Sequence, residues 1–152
     1  MIFTKRAKKP KFNQLATTRK GKRGEKIAID YFKVVGYLVL TPENTRTPHE
    51  FDLMLIDSKI QAIYCADVKV SAERTLYSDN GLDLADFMKY LEYAKRCPFL
   101  IVWIDENRRS MYSIALNAEN VSKAKYEGDK VYFDLRYTKV LKTLTHAELD
   151  SL

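Results

Sequence analysis

The segment Ile63–Val70, IYCADVKV, constrains the fold most, because Asp67 and Lys69 interrupt an otherwise apolar run. Its β-branched and aromatic residues predict a buried β-strand. Since strand side chains alternate between faces, Cys65, Asp67 and Lys69 share one face. Charged groups are rarely buried without partners, so an acid and a lysine at these positions predict either an ion pair or a ligand site.

A preceding strand brings a second acid to the same place. FDLMLID alternates as a strand, residues 57–59 form a turn, and residues 60–70 follow as the hairpin partner. Asp52 lies on the same face of its strand as Met54 and Ile56, and the hairpin brings Asp52 close to Asp67. Two neighbouring carboxylates repel each other, which raises a pKa or requires a cation, and oxygen ligands favour a hard ion such as Mg²⁺.

A helix is predicted before these strands, from Lys22 to Val35, with Gly36 as its C-cap. Its apolar stripe is predicted to contain Ile27, Tyr31 and Val34. Glu25 shares a face with Ala28, Ile29 and Phe32, at offsets of three, four and seven. We therefore expect Glu25 to point inward over the sheet.

The rest of the chain completes a mixed α/β pattern. Residues 71–81 are predicted to form a loop, residues 82–96 a helix, and residues 99–105 a buried strand. The helix is expected to align four residues in one row: Leu84, Met88, Leu91 and Lys95. MYSIAL and VYFDL are predicted as extra strands, and Thr145 with Glu148 as a capping box for a last helix. Helices packed on a small sheet are the expected architecture.

Length and composition limit the class of protein. A chain of 152 residues with 46% hydrophobic residues suits one domain with its own core. No apolar run approaches the roughly 18 residues of a membrane span, so no membrane partner is expected. Two cysteines are too few for a disulfide framework. A cytoplasmic location is predicted, whether the origin is bacterial, archaeal or viral.

Positive charge is concentrated at the N-terminus. The first 24 residues contain nine of the 26 basic residues and none of the 20 acids. Residues 1–21 are predicted to be a basic, flexible arm, and residues 22–152 a single domain. The arm is interpreted either as an electrostatic grip on nucleic acid or as a solubilising tail. The candidate nucleic-acid-binding residues are Lys5, Arg6, Lys8, Lys9, Lys11, Arg19, Lys20, Lys22 and Arg23, with Arg46 in the loop before Asp52.

The acid-and-lysine spacing is not specific by itself, because Asp57 and Lys59 repeat it in a predicted turn. Its context, with Asp52 and Glu25 nearby, favours a functional site. A buried ion pair of Lys69 with Asp67 or Asp52, retained for structure, is the alternative.

Glu25, Asp52 and the DVK triplet at 67–69, in the order α-β-β-β-α-β, resemble the core of the PD-(D/E)xK nuclease superfamily. The layout is most similar to archaeal Holliday-junction resolvases and their virus-encoded relatives, and the resemblance covers residues 23–105. The family usually has a proline just before the first acid. This chain departs from that pattern, because Pro48 lies four residues before Asp52. The polar residue often found on the second helix corresponds to Asp86 or Lys89 and not to a glutamine.

The resemblance implies a restriction-endonuclease-like mixed sheet flanked by helices, with extra C-terminal strands. It also implies a Mg²⁺-dependent endonuclease in which Mn²⁺ substitutes for Mg²⁺. Asp52 and Asp67 would bind one or two ions, helped by the Val68 carbonyl and by Glu25, directly or through water. Lys69 would orient the attacking water or stabilise negative charge.

The implied substrate is branched DNA, such as a four-way junction in recombination and repair, cut by a homodimer. Two alternatives stay open. One is an end-trimming or site-specific nuclease of the same superfamily, and the other is a non-catalytic nucleic-acid-binding protein on this fold.

Overall fold

The computed structural model describes residues 16–42, 51–71 and 77–152, which form four helices and nine strands. The helices are α1 (Ala16–Val34), α2 (Leu84–Ala94), α3 (Ala118–Val121) and α4 (His146–Ser151). The strands are β1 (Leu38–Leu40), β2 (Leu53–Asp57), β3 (Ala62–Ser71), β4 (Asp79–Asp83), β5 (Phe99–Asp105), β6 (Ser110–Ala115), β7 (Lys125–Glu127), β8 (Lys130–Asp134) and β9 (Lys139–Thr143). Within these described ranges, none of the helices combines the length and the apolar composition that a membrane span requires.

The main sheet has six strands in the order β1-β2-β3-β5-β6-β9. Only the central pair β3–β5 is parallel among its neighbours, and the chain between them forms β4 and α2. A parallel pair needs a crossover of this length, whereas β2 and β3 are joined by a tight turn. Strands β4, β8 and β7 form a separate three-stranded antiparallel sheet.

The main sheet separates two apolar cores. On one face, α1 buries Ile27, Ala28 and Phe32 against side chains of β2, β3, β5 and β6. On the other face, Phe87 and Tyr90 of α2 pack with residues of β3, β5, β6 and the small sheet. Strand β3 contributes to both cores because its side chains alternate, and this alternation decides which face Asp67 and Lys69 occupy.

Trp103 lies in the core, on the strand that the sequence predicted to be buried, and it links the two sheets. Its side chain is fully buried, and its indole N–H donates to the Gly81 carbonyl of β4 at 3.0 Å. A buried indole needs a partner for that donor, so this hydrogen bond helps to position β4 on the main sheet.

Most predicted elements are confirmed. The strands β1, β2, β3, β5, β6 and β8 occur where the sequence predicted them. Gly36 ends α1 with a φ of 106°. Thr145 and Glu148 form the predicted capping box of α4.

Three predictions about the helices are wrong. Helix α1 begins at Ala16, so the last six residues of the predicted 1–21 arm are helical; residues 1–15 lie outside the described residues, as does Arg46. The stripe of α1 excludes Val34, which is 86% exposed, because Ala28 and Phe32 take the buried side with Ile27. In α2, Met88 is 54% exposed and Phe87 and Tyr90 are buried, so the buried stripe is rotated from the predicted row, of which only Leu84 and Leu91 pack against the core.

Strand β4 was not predicted: its first three residues lie in the segment predicted to be a loop, and its last two lie at the start of the predicted helix. Its residues DNGLD have low strand propensity, yet Asp79 and Asn80 are each 1% exposed. Pairing with β8 and packing on the main sheet override the local preference.

Gly24 allows α1 to approach β3 closely, immediately before Glu25. A Cβ atom at Gly24 would lie 2.5 Å from Val70 Cγ2 and 3.3 Å from Ile104 Cδ1. Neither neighbour is the end of a long flexible side chain, so α1 or the sheet would have to shift. The close approach therefore sets the height of Glu25 over the sheet edge.

Replacing Gly24 by Ala should destabilise the protein by about 1–3 kcal/mol through this overlap, despite the better helix propensity of alanine. Urea unfolding followed by circular dichroism measures the effect. Gly21→Ala is the matched control in the same helix, because a Cβ there has no described neighbour within 4 Å. That variant should gain up to about 1 kcal/mol. Equal stability of the two variants would contradict the close approach.

Candidate active site

The candidate site lies where β2 begins beside the middle of β3. Asp52 comes directly before β2, and its backbone N–H donates to the Ala66 carbonyl at 3.0 Å. Its carboxylate Oδ2 accepts the Val68 N–H at 2.8 Å. This hydrogen bond fixes the side chain of Asp52 past the last paired residues of the two strands, Leu53 and Ala66.

The Val68 carbonyl faces the same edge of β3. In a strand, the N–H and C=O of one residue point to the same side, and the Val68 N–H points toward Asp52. Because the β2–β3 ladder stops at Ala66, this carbonyl lies beyond the paired part of β2. It is therefore a candidate oxygen ligand beside the two aspartates.

Asp67 is almost fully buried on the face that packs against α2, with 4% of its surface exposed. It interacts with Asp52, and Asp52 also interacts with Glu25 from α1. The structure thus brings the three predicted acids together. The outermost two along the chain, Glu25 and Asp67, are 42 positions apart. The Oδ2 atom of Asp67 has no hydrogen-bond donor among the described residues.

Burial is the main cause that disfavours ionisation of the three carboxyl groups, and charge repulsion among them adds to it. Burial, then the charge of Asp52, raise the pKa of Asp67 to about 7, against the opposing effect of Lys69. Burial, then the charge of Glu25, raise the pKa of Asp52 to about 6, although hydrogen bonds with Asp67 and with the Val68 N–H favour its ionised form. Burial, then the charge of Asp67, also raise the pKa of Glu25, whereas a hydrogen bond with Asp52 lowers it. Mutual repulsion of this kind is relieved by a cation.

Lys69 is held beside Asp67 by residues of α2. Its ammonium lies 2.9 Å from Asp86 Oδ2 and 3.1 Å from Asp67 Oδ2; the second contact is an ion pair without hydrogen-bond geometry. The ammonium also lies 5.6 Å from the centre of the Tyr90 ring. Burial opposes the charge of Lys69, but Asp67 and Asp86 outweigh it and raise its pKa. Lys69 is therefore a fixed positive charge.

Tyr90 belongs to this site and was missed from the sequence. Its buried hydroxyl donates a hydrogen bond to Asp67, and burial, followed by the charge of Asp67, raises its pKa. Asp86 and Tyr90 are four residues apart and so lie on one helix face. That spacing, together with the apolar Phe87 beside them, was the sequence signal for this face. The predicted apolar row instead placed a different face of α2 inward.

The donor set fits a divalent cation of the Mg²⁺ type. Asp67 offers a buried oxygen without a donor, and Asp52 and the Val68 carbonyl offer further oxygens. Within the ranges that the structure describes, no three His, Cys, Asp or Glu side chains form a ready group for a metal ion. Glu25 therefore fits a ligand that binds the ion through a water molecule better than a third carboxylate that binds the ion directly.

Basic residues of α1 lie just before Glu25. Lys22 and Arg23 are exposed, and Lys22 is close enough to lower the pKa of Glu25, although burial raises it overall. Arg23 also donates to the Leu152 carbonyl at 3.0 Å, and Lys20 forms an ion pair with Glu106. Of the predicted nucleic-acid-binding residues, those at positions 5–11 and 46 lie outside the described part of the chain.

The fold is similar to that of a solved nuclease. Hjc, a Holliday junction resolvase from the archaeon Archaeoglobus fulgidus, matches with a TM-score of 0.58 at 12% sequence identity, over 80% of this chain and 91% of that protein. No protein-family model and no curated protein matches the sequence. The predicted fold class and the resemblance to the nuclease superfamily are thereby confirmed at the level of the fold.

The raised pKa values predict an unusual pH dependence of stability without metal. Unfolded aspartates have a pKa near 3.9, so between about pH 4 and pH 7 the folded state holds protons that the unfolded state has lost. The contribution of Asp52 and Asp67 to the free energy of unfolding therefore falls as pH rises through this window. Asp67→Asn avoids part of this loss of stability. The melting temperature of Asp67→Asn minus that of wild type should therefore increase by about 5 °C or more between pH 4 and pH 8.

Differential scanning calorimetry in EDTA measures both proteins across this range. Asp150→Asn, at an exposed position of α4, is the control and should follow wild type at every pH. A constant difference between Asp67→Asn and wild type would contradict the raised pKa of Asp67.

Proposed function

We propose that this protein is a divalent-metal-dependent endonuclease that hydrolyses phosphodiester bonds of branched DNA. One observation carries the proposal: the buried Asp67 and the half-buried Asp52 and Glu25 interact beside the start of β2, and the cationic Lys69 lies next to them. Such an arrangement is costly for a protein without a ligand, because repelling carboxylates are held out of water. A cation and a phosphate together supply the missing partners.

Asp52, Asp67 and the Val68 carbonyl would hold Mg²⁺ or Mn²⁺, with Glu25 acting through water. The ion, when bound, supplies a Lewis acid for a phosphate oxygen and lowers the pKa of a coordinated water. The side chains supply the negative charge that retains the ion, and the Val68 N–H keeps Asp52 in its ionised orientation.

Lys69 would stabilise negative charge that develops on the scissile phosphate. Asp86 and Tyr90 restrain its ammonium, and its raised pKa keeps the proton on it at neutral pH. A protonated lysine cannot accept a proton from water, so an electrostatic role fits Lys69 better than the role of general base.

The exposed basic residues around Glu25 would contact the DNA backbone. Lys22 and Arg23 lie three and two positions before Glu25, on the helix that borders the site. Lysine and arginine on one surface beside a phosphodiester-cleaving site favour a polyanionic substrate. The basic residues at positions 5–11 would extend this contact.

Branched DNA and a homodimer are proposed from the similarity to Hjc, which is itself a Holliday junction resolvase. Symmetric cutting of two strands suits two identical subunits related by a twofold axis. At 12% identity the similarity supports the fold, and the substrate needs its own test.

A non-catalytic nucleic-acid-binding protein is the second candidate. It is favoured by the lack, in the described ranges, of three acidic side chains already grouped around one ion position. In that case, Lys69 and Asp67 would form a structural ion pair only.

Asp67→Asn should reduce cleavage by about 10³-fold or more, because an amide cannot supply the charge that retains the metal. Purified protein is incubated with Mg²⁺ and labelled linear, nicked, flapped and four-way DNA, and products are separated on denaturing gels. Asp30→Asn, at an exposed position of α1, is the control and should cut like wild type.

Preferential, symmetric cutting of the four-way substrate is the expected result. Shortening from free ends would instead support the end-trimming nuclease. Binding of DNA without cleavage in either Mg²⁺ or Mn²⁺ would support the non-catalytic candidate, and wild-type cleavage by Asp67→Asn would refute the assigned site.

Deleting residues 1–15 should weaken DNA binding and flatten its salt dependence. Each lost phosphate contact lowers the slope of log affinity against log salt by about 0.9 for duplex DNA. Fluorescence anisotropy in EDTA at several salt concentrations measures this slope. Lys95→Gln, an exposed lysine paired with Glu92 on α2, is the control. An unchanged slope in the deletion protein would make the segment a solubilising tail.

A further inference from the structure

A cleft lies on the α1 face of the main sheet, away from the candidate active site. Its volume is about 460 Å³, within the range of small-ligand sites. Asp57, at the end of β2, lines this cleft, whereas Asp52 precedes the start of the same strand. Five residues of strand separate the two, about 17 Å at the usual rise. The cleft is therefore distinct from the three acids.

The cleft exists because α1 ends before it covers the whole sheet. Tyr31 and Phe32 of the last turns of α1 and the Gly36–Tyr37 turn form one wall. The floor is the sheet itself, including Leu100 of β5 and the buried Ser113 of β6. Backbone reversal at Gly36, with its φ of 106°, turns the chain at this wall.

Tyrosines give the cleft aromatic surfaces with polar tips. Tyr31, Tyr37 and Tyr64 all line it, and the rings of Tyr37 and Tyr64 meet edge to face with centroids 6.4 Å apart. Burial, then Tyr64 and Asp57, raise the pKa of Tyr37, which is consistent with hydroxyls gathered around one carboxylate. Flat rings with hydrogen-bonding groups at their edges suit a planar heteroaromatic ligand.

The charges around the cleft favour an anion. Lys59 of the β2–β3 turn and Lys139 of β9 are exposed, line the cleft, and form no ion pair with another described residue. Asp57 is the acid of the lining, and its Oδ1 already accepts the Lys59 backbone N–H at 3.0 Å. Two free ammonium groups against one engaged carboxylate complement a phosphate, and an apolar peptide or a neutral ligand would leave them unused.

We propose that this cleft binds a nucleotide of an unpaired DNA strand, with the base against the tyrosine rings and the phosphate beside Lys59 or Lys139. The choice of DNA as ligand rests on the proposed function, whereas binding in the cleft requires neither metal nor cleavage. A DNA strand that occupies both the candidate active site and the cleft would pass from the acids at the start of β2 to the cleft near the end of β2. The cleft would then hold unpaired nucleotides that adjoin a branch point.

The test uses full-length wild-type protein in EDTA, so that no cleavage occurs. A thymidine tetranucleotide is titrated while amide resonances of Tyr37, Tyr64 and Lys139 are followed by NMR. We expect saturable shifts at these residues. Tyr64→Ala should raise the dissociation constant read from the cleft resonances about tenfold. Lys139→Gln, an exposed change that leaves the fold intact, should lower the salt slope by about 0.7.

Two controls match these variants elsewhere on the surface. Tyr126→Ala replaces a tyrosine that is 57% exposed on the small sheet, and Lys95→Gln replaces the exposed lysine directly after α2; both should bind like wild type. Inorganic phosphate alone should produce at most weak shifts.

Three results would overturn the proposal. The cleft resonances fail to shift with the tetranucleotide, or phosphate alone binds as tightly, or the protein self-associates through the cleft in a way that Tyr64→Ala abolishes. Failure of the proposed endonuclease is seen separately, in the Mg²⁺ cleavage assay, because the titration contains no metal.

Discussion

The hydrogen bond from the Val68 N–H to the Asp52 carboxylate is the constraint on which the candidate site depends. It joins β2 and β3 beyond the end of their regular ladder, and so fixes one acid against the strand that carries the next. Alternation along β3 then buries Val68 in the core under α1 while Asp67 and Lys69 face α2. One strand thereby supplies a core residue, a carboxylate, a peptide carbonyl and a cation within three positions.

The same arrangement makes the site electrostatically unfavourable in the absence of a ligand. Asp67 is buried next to Asp52, and Lys69 is shared between Asp67 and Asp86. Lys69 alone compensates only part of the charge, because the pKa of Asp67 is still raised to about 7. Buried polar groups that stay unsatisfied in a stable fold commonly have a functional purpose. A divalent cation matches this site, because it carries compensating positive charge and prefers oxygen ligands.

The local part of the site could be predicted from the sequence, because strand alternation depends on neighbouring residues alone. Strand alternation correctly placed Asp67 and Lys69 on one face of β3 and Asp52 on the matching face. The partners that come from other elements were harder. The family resemblance left either Asp86 or Lys89 as the polar residue of the second helix, and Tyr90 was missed because the apolar row of α2 was assigned to Leu84 and Met88. Which side of an amphipathic helix is buried depends on the sheet that it meets, and that sheet is assembled from distant segments.

Tertiary packing also explains the other differences. Strand β4 contains Asp79, Asn80 and Gly81, whose intrinsic preference is for turns, yet pairing with β8 makes it a strand. Helix α1 extends back to Ala16 through basic residues without an apolar stripe, and the sequence therefore predicted a flexible arm there. The tyrosine-lined cleft has no sequence motif at all, since its residues come from α1, from five strands of the main sheet and from the turns after α1 and β2.

Anomalous X-ray scattering from crystals grown with Mn²⁺ would locate a metal ion at these acids. A peak is expected within about 2.0–2.3 Å of carboxylate oxygens of both Asp52 and Asp67 and of the Val68 carbonyl. Well-ordered crystals in millimolar Mn²⁺ that show no peak at these oxygens, with Lys69 still between Asp67 and Asp86, would contradict the proposed metal site.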